Sequence, residues 1–207
     1  MQQLIGIVDY GSGNVTSVMN ALEALGYRTR LSRDWENLKE STHLVLPGVG
    51  AFGAGMERLR ALDLIDRLGR EVVEKGKPFL GICLGHQMLA TLGLEFGEHE
   101  GLNWIQGKVE KIDTSRSRLR LPHIGWNHVR VLQREPLYRH MTEDPCFYFV
   151  HSYHLVTEDS SLTSAVCDYG VTLTASIQDR NIFGAQFHPE KSQSEGLQLL
   201  KNFAEFT

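Results

Sequence analysis

Pro78-Phe79-Leu80-Gly81-Ile82-Cys83-Leu84-Gly85-His86-Gln87 reads as an apolar strand that meets a cysteine set between glycines and passes at once into a helix. Small flanking residues permit the tight strand-to-helix turn of a nucleophile elbow. A cysteine at such a turn sits beside a helix N-terminus, whose partial positive charge favours thiolate over thiol. Cys83 is therefore a candidate nucleophile, and a buried structural thiol is the ordinary alternative.

Toward the N-terminus the chain keeps the same rhythm. Leu4-Ile5-Gly6-Ile7-Val8 is a buried-strand candidate, Gly11-Ser12-Gly13-Asn14 breaks it, and Val18, Leu22 and Leu25 recur at helical spacing within Val15–Leu25 before Gly26. Next come a strand at Tyr27–Leu31, a charged stretch Arg33–Glu40, a strand Leu44-Val45-Leu46 ended by Pro47-Gly48, and a helix from Gly55 to Lys75. A helix over Gly85–Leu92 leaves the elbow. Alternation of this kind implies right-handed crossovers and a mainly parallel central sheet flanked by helices, an α/β fold. Beyond Ile105 the pattern changes. Lys108–Ile112, Val129–Leu132, Phe147–Val150, Thr163–Val166, Thr172–Ile177 and Ile182–Phe187 read as antiparallel or mixed strands added to one side of this core. Glu195–Phe203 closes the chain as a helix. No repeat, low-complexity tract or linker intervenes, so residues 1–207 are expected to form a single domain.

A chain of 207 residues can bury roughly 70–75% of its unfolded surface without disulfides, metals or obligate oligomerisation. Its 21 Lys+Arg against 25 Asp+Glu, a net charge of −4 with no basic run, argues against nucleic acid as a partner. No apolar run approaches the roughly 20 residues needed to cross a bilayer, and MQQLIGIVDYG lacks the features of a signal peptide. No membrane partner and a cytoplasmic location are therefore expected. Cys83, Cys146 and Cys167 form neither a disulfide framework nor a CxxC pair, so at least one thiol is free within the chain.

A thiol nucleophile needs a base, and the base needs a group to orient it. Phe187-His188-Pro189-Glu190 supplies both directly after an apolar strand, with a proline to stiffen the turn. Cys83, His188 and Glu190 would then form a triad in which the carboxylate fixes the imidazole and stabilises its charged form. A surface turn with an incidental histidine is the competing reading, because spacing along the chain does not bring residues 83 and 188 together. For the oxyanion of a tetrahedral intermediate, the N–H of Leu84 and the backbone of Pro47-Gly48-Val49-Gly50 are the natural donors, although the latter also reads as a plain tight turn. His151 and His154 flank Ser152-Tyr153 without a carboxylate or cysteine ligand set, and are read as structural histidines. No metal site is expected. Cys146 and Cys167 are read as core thiols.

In order, LPGVGAF at 46–52, GICLGHQ at 81–87 and FHPEKS at 187–192 resemble the class I, or triad, glutamine amidotransferases over nearly the whole chain. The resemblance implies a flavodoxin-like fold, needing no cofactor, in which Cys83 attacks the side-chain amide of L-glutamine. VDYGSGNVTSV at 8–18, PGVGAFGAGM at 47–56, PHIGWN at 122–127 and FYFVHSYH at 147–154 are similar to the glutaminase subunits of imidazole glycerol phosphate synthase. By that resemblance Gly50, Gln87, Ser152 and Tyr153 line the glutamine pocket, and Trp126, Asn127, Tyr148 and Lys191 lie toward a separate (β/α)8 cyclase subunit in a heterodimer. That partner would receive ammonia and use it in histidine biosynthesis. Two features depart from the subfamily pattern. His86 stands where Met is common, and LGLEFGEHEGLNWI at 92–105 differs from the acidic run usual after the elbow, which leaves the role of Glu95 open. The alternatives are a glutaminase paralogue serving another synthase, such as one in surface-polysaccharide sugar biosynthesis, the small subunit of another triad amidotransferase, and a catalytically idle partner-binding scaffold.

Overall fold

Strands that are apolar on both faces belong in the middle of a sheet covered on both sides, and Leu44, Val45 and Leu46, like Phe79, Leu80 and Ile82, are fully buried. The computed structural model describes residues 3–207. Met1 and Gln2, the start of the stretch read above for a leader, lie outside them. The first half of the chain alternates as β1 (Leu4–Val8), α1 (Val15–Ala24), β2 (Arg28–Ser32), α2 (Trp35–Leu38), β3 (His43–Gly48), α3 (Phe52–Ala61), α4 (Ile65–Gly69), β4 (Phe79–Cys83) and α5 (Leu84–Gln87). The second half adds β5 (Ala90–Gly93), β6 (His99–Glu100), β7 (Ile105–Lys111), β8 (His123–His128), β9 (Arg130–Val131), β10 (Cys146–His151) and β11 (Tyr153–Thr157). It ends with β12 (Thr163–Asp168), β13 (Thr172–Asp179), β14 (Ile182–Ala185) and α6 (Gln193–Ala204).

The main sheet has the order β2-β1-β3-β4-β14-β13-β12-β9. Its first five strands are parallel, and β13, β12 and β9 continue it antiparallel. With β14 as the fifth parallel strand the order is 2-1-3-4-5, the doubly wound flavodoxin-like arrangement in which ligands sit beyond the carboxyl ends of the strands. The expectation that the later strands all add to one side of the core needs correcting. β14 enters the parallel core itself, while β8 and β10 make a separate pair and β11-β7-β5-β6 a further sheet. The reason for β14 lies in its burial: all its residues are enclosed, as a central strand requires. One apolar cluster, including Val18, Leu22, Phe147, Phe149, Leu199 and Phe203, covers one face of the main sheet. A second, including Met56, Leu59, Leu68, Met88, Val109 and Leu155, covers the other.

Of the differences from the sequence reading, three bear on how the site is built. The Gly55–Lys75 helix begins earlier, at Phe52, and is cut after Ala61. There Asp63 takes φ 54° and Leu64 N–H donates to Leu59 O at 3.1 Å, a left-handed cap that an aspartate tolerates. β3 runs on through Pro47 and Gly48, which pair with Ile82 and Cys83. Pairing with β1 has already stopped at Val45, so no neighbour on that side requires the missing proline N–H. The Gly85–Leu92 helix stops at Gln87, because the chain from Ala90 to Gly93 is drawn into β5 by pairing with β7. No helix among the described residues is long and apolar enough to cross a membrane.

Candidate active site

Cys83 closes β4 with φ 53° and ψ −104°, a strained conformation for a residue with a side chain, and α5 begins at the next residue. The two glycines that frame it are required by contact. A Cβ on Gly85 would stand 1.8 Å from the Leu46 carbonyl oxygen, and one on Gly81 would stand 2.5 Å from that of Gly85. The turn is thus packed backbone against backbone. Leu84 opens α5, so its N–H is among the first-turn donors that a helix leaves without an intrahelical partner.

His188 reaches this elbow through strand pairing. Gly184 and Ala185 of β14 sit beside Gly81 and Ile82 of β4, and the chain then continues past Gln186 and Phe187 to His188. A short 3-10 turn over Pro189–Lys191 folds Glu190 back under the imidazole, with Nδ1 to Oε1 2.7 Å and both side chains fully buried. The turn is fixed from β10, since His188 N–H donates to Tyr148 O at 2.9 Å and Ser192 Oγ donates to His188 O at 2.6 Å. The opposite ring nitrogen, Nε2, is buried and has no hydrogen-bond partner among the described residues. The Cys83 sulfur is its polar neighbour. Burial pushes His188 down, but hydrogen bonding and charge from Cys83 and Glu190 outweigh it and hold the imidazole up at about 9. By contrast, burial pushes the Cys167 thiol up to about 12 and raises Cys146, as befits unreactive thiols.

Cys83 lies in a cleft of about 440 Å³ together with Gly50, Leu84, Gln87, Glu95, Ser152 and Tyr153. Every residue expected at the glutamine pocket is brought here. Glu95, left open by the sequence, is here too, and its Oε2 accepts from the Phe52 N–H at 2.8 Å, which caps α3. The Pro47–Gly50 turn, expected to offer oxyanion donors, is less uniform than its sequence suggested. Gly50 has φ 105° and no atom within 4 Å of where a Cβ would stand. Val49, however, is clasped: its N–H donates to Ser12 Oγ at 2.7 Å, and that hydroxyl donates to Val49 O at 2.9 Å. The Val49 N–H is therefore already engaged by Ser12.

Sequence reasoning missed Ser12 and Asn14, both on the loop after β1. Asn14 Nδ2 donates to Glu190 Oε1 and lies 3.3 Å from His188 Nδ1, which links this loop to the His188–Glu190 pair. The signal was the Gly11-Ser12-Gly13-Asn14 break after an apolar strand, because the carboxyl ends of parallel strands are where such loops gather around a ligand.

The four residues expected to face a partner divide. Trp126 and Tyr148 are paired across β8 and β10 with ring centroids 6.0 Å apart, and Lys191 Nζ lies 6.0 Å from the Tyr148 ring. Trp126 is 48% and Ile124 58% exposed, so this strand shows an apolar outer face. Asn127 points to the other side by strand alternation, and its Nδ2 donates to Asp168 O at 2.9 Å. His151 is buried and bonded to Tyr153 O at 2.9 Å. No group of three or more His, Cys, Asp or Glu among the described residues is arranged to hold a metal.

A family model, glutamine amidotransferase class-I, matches residues 6–206. The chain is 43% identical over 206 residues to the imidazole glycerol phosphate synthase subunit HisH of Syntrophotalea carbinolica, covering 98% of this chain and 100% of that one. It is 45% identical over 198 residues to the HisH subunit of Aquifex aeolicus, covering 95% and 94%, and 43% identical over 202 residues to HisH 2 of Pseudomonas aeruginosa, covering 98% and 99%. Among solved structures, a glutamine amidotransferase shares the fold with a TM-score of 0.75 at 22% identity, covering 97% of each chain. The doubly wound sheet, the cysteine elbow and these full-length likenesses agree: the chain belongs to the class-I glutamine amidotransferases and, within them, to the HisH subunits of imidazole glycerol phosphate synthase.

Proposed function

We propose that this chain hydrolyses L-glutamine through Cys83, His188 and Glu190 and passes the ammonia to a separate (β/α)8 cyclase subunit of imidazole glycerol phosphate synthase, which forms imidazole glycerol phosphate and an aminoimidazole carboxamide ribotide in histidine biosynthesis. The observation that carries the reading is the fully buried His188–Glu190 pair at 2.7 Å beside a strained cysteine on the floor of a cleft. Cys83 Sγ attacks the amide carbon of glutamine, and the carbonyl oxygen takes the negative charge, facing the N–H of Leu84 and the Gly50 turn. His188 gives its proton to the nitrogen, the C–N bond breaks and ammonia leaves a glutamyl thioester. Water, deprotonated by His188, then attacks the thioester carbon. Glutamate leaves and the thiol is restored. Glu190 holds the imidazole in place and stabilises its charged form throughout.

Ammonia in water is largely protonated at neutral pH, so a productive acceptor must be docked. The outer face of β8 with Trp126 and Ile124, next to Tyr148 and Lys191, supports such a docking surface, because large exposed apolar groups mark interfaces. The backbone link from Tyr148 to His188 ties that face to the triad. The clasp of Ser12 on Val49 supports a gated oxyanion turn, which would present its N–H when the loaded partner is bound.

In the complex with the cyclase, Cys83→Ala is expected to lower glutamine-dependent product formation by at least about 10³-fold. Synthesis from added ammonia should persist, because it needs only the cyclase. Glutamine-dependent activity retained by this variant would remove the triad assignment. A free chain that hydrolysed glutamine as fast as the loaded complex would remove the gating.

A further inference from the structure

Gln186 is fully buried and has no part in the chemistry above. It follows β14, whose pairing with β4 carries it against the elbow. Its Nε2 lies 3.8 Å from Cys83 Sγ, a hydrogen-bond distance to sulfur, and its Oε1 lies 3.1 Å from Gln87 Nε2. Which end of a glutamine amide is nitrogen normally has to be inferred from its surroundings. Here a backbone carbonyl decides it. Gln87 Nε2 also stands 2.8 Å from the Tyr153 carbonyl oxygen, which can only accept. Gln87 must therefore turn its NH2 group to both neighbours, Gln186 must meet it with oxygen, and the NH2 group of Gln186 is left facing the sulfur.

The anchoring carbonyl is itself held. His151 Nδ1 donates to Tyr153 O at 2.9 Å, so the neutral His151 ring accepts at Nε2, where His123 Nδ1 stands at 2.9 Å. Burial keeps both rings neutral, His151 pushed down to about 3 and His123 to about 4, and each single ring N–H is engaged in this direction. A network in which Gln87, His151 and His123 each donate to a defined acceptor fixes one arrangement.

We propose that Gln186 is a catalytic residue of the glutaminase reaction, its amide N–H donating to the Cys83 sulfur and favouring the thiolate that attacks, with Gln87 and the Tyr153 carbonyl locking the amide in the one orientation that can do so. A hydrogen bond to an anionic acceptor is roughly twice as strong as one to a neutral acceptor, so the donor favours the attacking form over the resting thiol. The inference rests on Cys83 being the nucleophile.

The direct readout is the rate at which iodoacetamide alkylates Cys83 at neutral pH in the chain alone, with Cys83→Ala giving the background from Cys146 and Cys167. Gln186→Met is expected to slow alkylation by about tenfold, the loss of one hydrogen bond to a charged group. Gln186→Glu, which keeps an acceptor toward Gln87 but turns a carboxylate oxygen on the sulfur, is expected to slow it further. In the complex with the cyclase, kcat for glutamine should fall with alkylation in both variants while KM changes by less than about twofold. Alkylation within about twofold of the parent in Gln186→Met, or a raised KM with kcat unchanged, overturns the proposal. If Gln186→Met does not fold, Gln186→Glu, which keeps the volume, decides it by the same ratio. Glutamine hydrolysis surviving Cys83→Ala would instead remove the nucleophile itself, an outcome separate from any result on Gln186.

Discussion

The cysteine elbow and the oxyanion turn leave neighbouring parallel strands at the same level of the sheet, since Gly48 of β3 pairs with Cys83 of β4, yet they are held by opposite means. At the elbow, Gly81 and Gly85 let main chain touch main chain, and any added atom would meet a carbonyl group. At the turn, Gly50 looks into open space, and the Val49 N–H is held by one serine hydroxyl. A geometry set by repulsive contacts has one solution. A geometry set by a hydrogen-bonded clasp, with each bond worth about 0.5–1.5 kcal/mol net, can be exchanged for another by a partner of modest binding energy. The elbow that carries Cys83 is fixed, whereas the Val49–Gly50 turn is adjustable.

Gly85→Ala would break the elbow outright. A methyl group 1.8 Å from the Leu46 oxygen requires β3 or α5 to move, and the expected cost is about 3 kcal/mol or more in urea unfolding, with glutaminase activity lost. A variant as stable as the parent would show that the elbow is not packed as described.

The elbow should also respond to acid where the turn does not. His86, on α5, is fully buried, and burial first, then the charge of His154, pushes it down to about 3. The ring is neutral in the fold, whereas in the unfolded chain it takes a proton near pH 6.5. The stability it confers is complete above pH 6.5 and is lost as pH falls toward 3, at about 1.4 kcal/mol per pH unit for this proton. His86→Met should therefore flatten the decline of stability between pH 6.5 and about 4.5, while Gly50→Ala leaves it unchanged. Parallel declines in parent and His86→Met would exclude His86 as the source.

Gly50→Ala itself should cost about 1–3 kcal/mol, from a φ of 105° in open space rather than from collision. The smallest expected stability effect is that of Ser12→Ala, at most about 1 kcal/mol, because it removes only the clasp. Its functional effect sharpens the contrast: with Val49 released, glutamine hydrolysis by the chain without a cyclase should rise severalfold. An unchanged basal rate would mean that Ser12 does not hold the gate.

The parallel half of the fold was legible because its signals are local. A buried strand announces itself as a short apolar run, and a glycine pair around a cysteine announces an elbow. Most of the misread elements have a physical cause that spacing does not carry. In β8, His123-Ile124-Gly125-Trp126-Asn127-His128, the polar His123 is inside and the apolar Ile124 and Trp126 are outside, so the usual alternation is inverted. In β5, Ala90–Gly93, the strand exists because β7 pairs with it, and its residues alone suggested the tail of a helix. The motifs singled out Cys83, Gln87, His188 and Glu190, whereas Ser12, Asn14 and Gln186 are common polar residues that matter only through what they touch.

Residue type and order along the chain were enough for the α/β class and for singling out Cys83, His188 and Glu190 as candidates, because strand periodicity and reactive side chains are properties of short segments. Whether Cys83 and His188 meet depended on β14 entering the sheet beside β4, a pairing between segments about 100 residues apart that is set by burial on both faces. The clasp on Val49 and the amide relay onto the sulfur depended on the same closure, since hydrogen-bond partners and their donor directions are chosen only once distant segments share one enclosed space.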